Sequence, residues 1–263
     1  MSDDEVSFNG DFFEEPEEFQ SKREENNFVK YKRNYATINN KHNISEINLR
    51  LVGKSPLWGH LLWNAGIYTA NFIEKNPDFV KDKTVVEFGS AAALPSLLCG
   101  LNGAKKVLST DYPDGPLLEN IQFNIDSIPW QQEKEKVKVC GHIWGQDTQD
   151  LKEELGDWAD VLIMSDLVFN HSEHHKLLKS AKEMIRPLRS GKRTGGQCLV
   201  VFSPHRPWLL DNDLQFFKDA AEEFGFDVEL KELVHWDHPM FEEDSGDLEI
   251  RKRVYCHVLH PTW

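Results

Sequence analysis

Glu87 and Asp111 are the residues whose type and spacing point most directly to ligand chemistry. They sit in Thr84–Asp111, TVVEFGSAAALPSLLCGLNGAKKVLSTD, which reads as a buried strand, a turn of small residues, a helix, and a second strand ending in an acid. A strand–turn–helix–strand unit that closes on a carboxylate is how doubly wound α/β proteins build a nucleoside site. The turn brings backbone close to the ligand, and the acid accepts hydrogen bonds from the ribose hydroxyls. Only Gly89 survives of the usual glycine pattern, and Ala91 and Ala93 stand where further glycines would be expected. A pyrophosphate needs the closest backbone approach and an anion-binding helix N-terminus, so the alanines argue against a dinucleotide. S-adenosyl-L-methionine (SAM) has a ribose and an adenine but no phosphate, and tolerates them.

The surrounding elements repeat the same pattern. Strands are predicted at Thr84–Phe88, Lys106–Thr110, Val137–His142, Val161–Ser165 and Cys198–Ser203. Several are unbroken apolar runs, as befits a parallel sheet covered on both faces. Helices are predicted at Leu94–Gly100, Pro116–Ile128, Thr148–Leu155, Glu173–Arg186 and Asn212–Phe224. Two final strands, Val228–His235 and Arg253–His260, are joined by PMFEEDSGD with no predicted helix, so they should pair antiparallel. Upstream, Tyr31–Ile38 and Ile44–Gly53 alternate polar and apolar residues around NNKHN, a hairpin pattern. Pro56 then opens a helical pattern through Trp58, Leu61, Leu62, Ala65 and Tyr68/Thr69. The fold class is therefore α/β: a doubly wound, Rossmann-like seven-stranded sheet with a terminal antiparallel hairpin, preceded by an N-terminal hairpin and helix. The division is a tail over 1–30 and one domain over 31–263, with hairpin and helix in 31–78 and the core in 79–263.

Composition narrows the function classes. The chain of 263 residues carries a formal net charge of −14. Residues 1–30 hold ten acidic and three basic side chains, a net of −7, so half the excess lies in a ninth of the chain. Such a stretch reads as a flexible, solvated tail. This acidity excludes nucleic acid as the expected partner, because phosphate binding needs a cationic surface; a basic partner fits better. Cys99, Cys140, Cys198 and Cys256 form no CxxC pair, and three sit in or beside apolar runs as reduced core thiols would. There is no apolar run of membrane-spanning length, and MSDDEVSFNG is unlike a signal peptide. The expectation is a cytoplasmic protein with no membrane partner. His171, His174 and His175 form HxxHH at a helix start, but no cysteine completes a site, so no metal is expected.

The segments VVEFGSAAALPSLLCGLNGAKKVLSTDYPD, GHIWG and ADVLIMSDLVFNH together resemble the class I, seven-strand, SAM-dependent methyltransferases. Within them the chain is most similar, from about Ser55 onward, to the lysine-methyltransferase-like branch, and there to fungal members that methylate the N-terminus and a lysine of translation elongation factor 1-alpha. The resemblance implies SAM as cofactor and elongation factor 1-alpha as protein partner. It implies cofactor contacts from Glu87, Gly89, the loop Ser90, Ala91, Ala92 and Ala93, Asp111 with Tyr112, Trp144 over the adenine, Ser165 through its backbone, and Trp58 closing from before the core. Asp166, Phe169 and Asn170 fall at the mouth where an acceptor amine would enter, Asp166 as an orienting group. Relatives often carry tyrosine where this chain has Phe169, which removes a hydroxyl but keeps an apolar wall. His205 and Arg206, in SPHRPW after the fifth strand, open on the same ligand edge as candidate substrate contacts. Two other readings stay open: a small-molecule amine methyltransferase acting on nicotinamide, and a SAM-binding module without catalysis.

Overall fold

The structure is a computed structural model that describes residues 27–35, 43–53, 59–130, 134–188 and 195–263. The acidic residues 1–26, the helix start expected at Pro56, and Trp58 lie outside the described residues. Seven strands form one sheet: β3 (Thr84–Phe88), β4 (Lys106–Asp111), β5 (Val137–Gly141), β6 (Val161–Ser165), β7 (Gln197–Phe202), β8 (Phe226–His235) and β9 (Arg253–Pro261), in the order β5-β4-β3-β6-β7-β9-β8. The five from β5 to β7 run parallel, whereas β9 is antiparallel to both β7 and β8. The chain thus winds outward from β3 to one edge, then crosses back to build the other. That reversal at β3/β6 opens a crevice at the strands' carboxyl ends.

Both faces are covered, which explains the unbroken apolar runs. On one side Val86, Leu108, Leu162 and Val200 meet α4 (Gln149–Leu155), α5 (His174–Met184) and α6 (Leu210–Glu222). On the other, Val85, Val107 and Ile163 meet α1 (Asn64–Lys75), α2 (Leu94–Leu101) and α3 (Gly115–Ser127). Neighbouring residues such as Val85 and Val86 serve opposite cores because successive side chains of a strand alternate faces. Asp114 caps α3, its carboxylate accepting from the Leu117 amide, as expected of an acid just ahead of a helix.

The departures are local. β1 (Asn27–Lys32) pairs antiparallel with β2 (Glu46–Leu51), so the hairpin's first strand begins four residues before the expected Tyr31. It is anchored by Arg33, whose guanidinium is paired with Glu74 of α1 at 2.6 Å with both side chains buried, and by Arg50, which meets Asn120 and lies over Phe123 of α3. Among the described residues of the segment expected to be helical from Pro56, the helix, α1, begins at Asn64, because Gly59 and His60 lie in a turn and Trp63 is extended (φ −70°, ψ 145°). The connection between β8 and β9 contains a four-residue helix, α7 (Leu248–Arg251), nucleated by Asp247, which accepts from the Glu249 and Ile250 amides.

Candidate active site

The turn after β3 and the acid ending β4 form one unit. Gly89 has φ +59°, and a Cβ there would come within 2.5 Å of the Leu167 side chain, so any larger residue would be both strained and crowded. Ala91 (φ 49°) and Ala93 (φ 63°) are also left-handed. An L-residue in that region costs about 1–2 kcal/mol, a strain that marks the loop as shaped for something besides packing. The Ala91 amide donates to one oxygen of Asp111 and the Tyr112 amide to the other, both at 2.7 Å. Burial lifts the Asp111 carboxyl to about 6, although the two amides pull the other way. Glu87 lies behind the loop, fully enclosed, where its carboxylate accepts from the Ser96 amide at 2.9 Å and the Ser96 hydroxyl. Burial raises it to about 8.

The adjacent strand ends complete the crevice. After β5, the His142 amide donates to the Asp111 carbonyl at 2.8 Å. The His142 ring stacks on Phe88 and meets the Ser180 hydroxyl at 3.0 Å; burial lowers its pKa. At the end of β6, Ser165 Oγ lies 2.7 Å from Thr69 Oγ1, whose own hydroxyl proton goes to the Ala65 carbonyl. The Ser165 hydroxyl is therefore the donor of that pair. Asp166 follows with φ +59°. One oxygen accepts from the Ser203 amide at 3.2 Å, and the other lies 2.8 Å from His205 Nε2. Arg206 donates to the Phe169 carbonyl at 2.7 Å, tying the segment after β7 to the loop after β6.

These ends line a cleft of about 1120 Å³. Of the residues read from the sequence, Gly89, Ala91, Asp111, Tyr112, Trp144 and Ser165 border it, as do Asp166, Phe169, Asn170 and His205. Of the rest, among the described residues, Glu87 lies behind the wall as described, Ser90 has its hydroxyl on the Thr110 carbonyl, and Ala92 and Ala93 are buried. HxxHH does not converge. His171 pairs with Asp213 at 2.7 Å, His174 meets the Val168 carbonyl, and His175 faces Asp219 and Glu223. That last trio is the one metal-capable group among the described residues, with two of its three members exposed.

A profile described as lysine methyltransferase matches residues 46–222. The chain belongs to that family. Members of the lysine methyltransferase family are methyltransferases with SAM as cofactor, and so is this chain. It is 47% identical to protein N-terminal and lysine N-methyltransferase EFM7 of Kluyveromyces lactis, over 98% of this chain and 99% of that one. With the Candida albicans protein of the same name it is 48% identical over the whole of both chains. Among solved structures, TYW2 of Pyrococcus horikoshii, in complex with MeSAdo, superposes with a TM-score of 0.52 at 15% identity, covering 82% of this chain and 69% of that one. That likeness shows the fold.

The cleft fits the cofactor this family uses. Each Asp111 oxygen accepts one amide proton and keeps a lone pair free, so the carboxylate can take both ribose hydroxyls. The turn beside it presents nothing larger than a methyl group at Ala91, and Trp144 supplies a broad π face. The lining residues that escaped the sequence reading include Trp63, Glu173, Phe241 and Asp244. Phe241 and Asp244 sit in the acidic β8–β9 connection, whose only sequence signal was an aromatic residue inside a run of carboxylates.

Proposed function

We propose that this protein is a cytoplasmic SAM-dependent protein N-methyltransferase acting on the N-terminal end of elongation factor 1-alpha, at the α-amine, a nearby lysine, or both. The full-length identity to proteins named protein N-terminal and lysine N-methyltransferase supports the reaction class. The observation that carries the reading is that a ribose-type carboxylate, Asp111, and an amine-type pocket share one cleft. The pocket combines aromatic Trp63, Phe169 and Phe241 with carboxylates of Asp166, Glu173 and Asp244.

The bound cofactor supplies an electrophilic methyl group on a sulfonium. The chain has to deliver a neutral amine in line with it, and proximity and alignment can supply much of the acceleration. An α-amine titrates near 8 and a lysine near 10.4, so the lysine arrives protonated at neutral pH. Burial against the rings favours the neutral amine, while the carboxylates draw a cationic segment to the mouth. An aromatic wall also attracts the methylated ammonium through cation–π contact.

Nicotinamide, an uncharged pyridine, would use the rings but not the acids. Turnover of a synthetic N-terminal peptide of elongation factor 1-alpha and of nicotinamide, each with SAM, separates the two. Methylated peptide with no methylated nicotinamide is expected; the reverse would move the enzyme to small-molecule chemistry.

A further inference from the structure

Asp166 is badly placed to meet an acceptor amine directly. Its side chain is only 4% exposed, and both oxygens are occupied, one by the Ser203 amide and one by His205 Nε2. His205 is the member of this pair that faces outward. It lines the cleft, its side chain is 15% exposed, and its ring packs edge-on against Trp63 at 5.1 Å and near Phe241 at 6.1 Å. Because a carboxylate can only accept, the proton between the two belongs to Nε2, and a neutral His205 then carries its lone pair on Nδ1. Among the described residues Nδ1 has no hydrogen-bond partner. A nitrogen base oriented by a buried acid, beside aromatic walls, is the arrangement that general-base catalysis requires.

We infer that His205 is a catalytic base that removes the proton from the acceptor amine, and that Asp166 is a positioning residue acting through it. The inference rests on the protein N-methyltransferase reading above. An N–H bond of the acceptor ammonium breaks and its proton bonds to Nδ1, while the nitrogen keeps the electron pair. That pair forms the new C–N bond as the methyl–sulfur bond breaks and its electrons stay on sulfur. The imidazolium then releases the proton to water.

The local charges suit a base stronger than free imidazole. Burial favours the neutral ring, but Asp166, with Asp213 of α6 and Asp244 of the β8–β9 connection, raises its pKa above the usual histidine value. Arg206 beside it is engaged with the Phe169 carbonyl, His171 with Asp213, and Arg251 with the Phe241 and Asp244 carbonyls.

The test compares pH–rate profiles of wild type, His205→Ala and Asp166→Asn on a lysine-containing N-terminal peptide. The variants should be about 10²–10⁴ slower near pH 7, with a deficit that shrinks roughly tenfold per pH unit as solvent takes over deprotonation toward the lysine pKa. A deficit that stays constant with pH overturns the base role. Asp166→Asn would keep its oxygen on the Ser203 amide and turn its NH₂ to Nε2, enforcing the wrong tautomer. A second readout needs no acceptor: ¹⁵N NMR of histidine-labelled protein. The wild type should show the Nε2–H tautomer at His205 and protonation at Nδ1 on acidification; an Nδ1–H tautomer overturns the assignment. If the peptide is not methylated by wild type, the function reading fails, and the tautomer alone then decides whether His205 is built as a base.

Discussion

At the residue scale, Asp111 carries the most direct consequence. With Asp111 proposed to accept from both ribose hydroxyls, Asp111→Ala should weaken SAM binding about 100-fold or more, read by calorimetry. The hydroxyls need the ionised carboxylate, and burial holds Asp111 at about 6. SAM affinity should therefore be flat above pH 7 and fall as pH drops through 6; an affinity unchanged between pH 7.5 and 5 would remove Asp111 from the ribose. Glu87 runs the other way, because the folded protein keeps it protonated up to about 8, whereas an ordinary carboxyl lets go near 4.5. Over that window the unfolded chain binds fewer protons, so stability falls as pH rises. Glu87→Gln removes that titration and should raise Tm relative to wild type at pH 8 but not at pH 4.5.

At the scale of elements, the β8–β9 connection is held as a wall rather than left as a loop. Arg251, 4% exposed, donates to the carbonyls of Phe241 and Asp244, the two residues this segment contributes to the cleft. Arg251→Ala should raise KM for a peptide acceptor about tenfold or more through misplaced contacts, while SAM affinity stays within twofold; equal loss of both would mean general destabilisation. This element also shows where the sequence stops being legible. The β3–β4 unit could be read because strand, small-residue turn and terminal acid obey local rules, and its strand bounds match within a residue. The start of α1 could not, since Trp63 is extended to meet His205 and Phe241, partners far along the chain. Asp166 was legible as an acid at a strand end, but not as the buried partner of His205, because that pairing arises only when β6 and β7 lie side by side.

At the scale of the whole molecule, the acidic balance of −14 and the carboxylates at the mouth favour a cationic segment over a neutral small molecule. Screening is strong beyond about 8 Å at physiological ionic strength, so peptide KM should climb steadily with salt while maximal rate changes little. A salt-independent KM would argue against charge attraction. Among the described residues, no helix is long and apolar enough to cross a membrane. The central claim, that the cleft methylates an amine of a protein rather than of a metabolite, is tested most directly by intact mass spectrometry. The protein and SAM would be incubated with the N-terminal peptide of elongation factor 1-alpha, free and α-acetylated, and separately with nicotinamide. One or more methyl masses on the free peptide are the expected result; loss on acetylation would assign the α-amine, and retention a lysine. Methyl gain on nicotinamide alone, with both peptides unchanged, would contradict it.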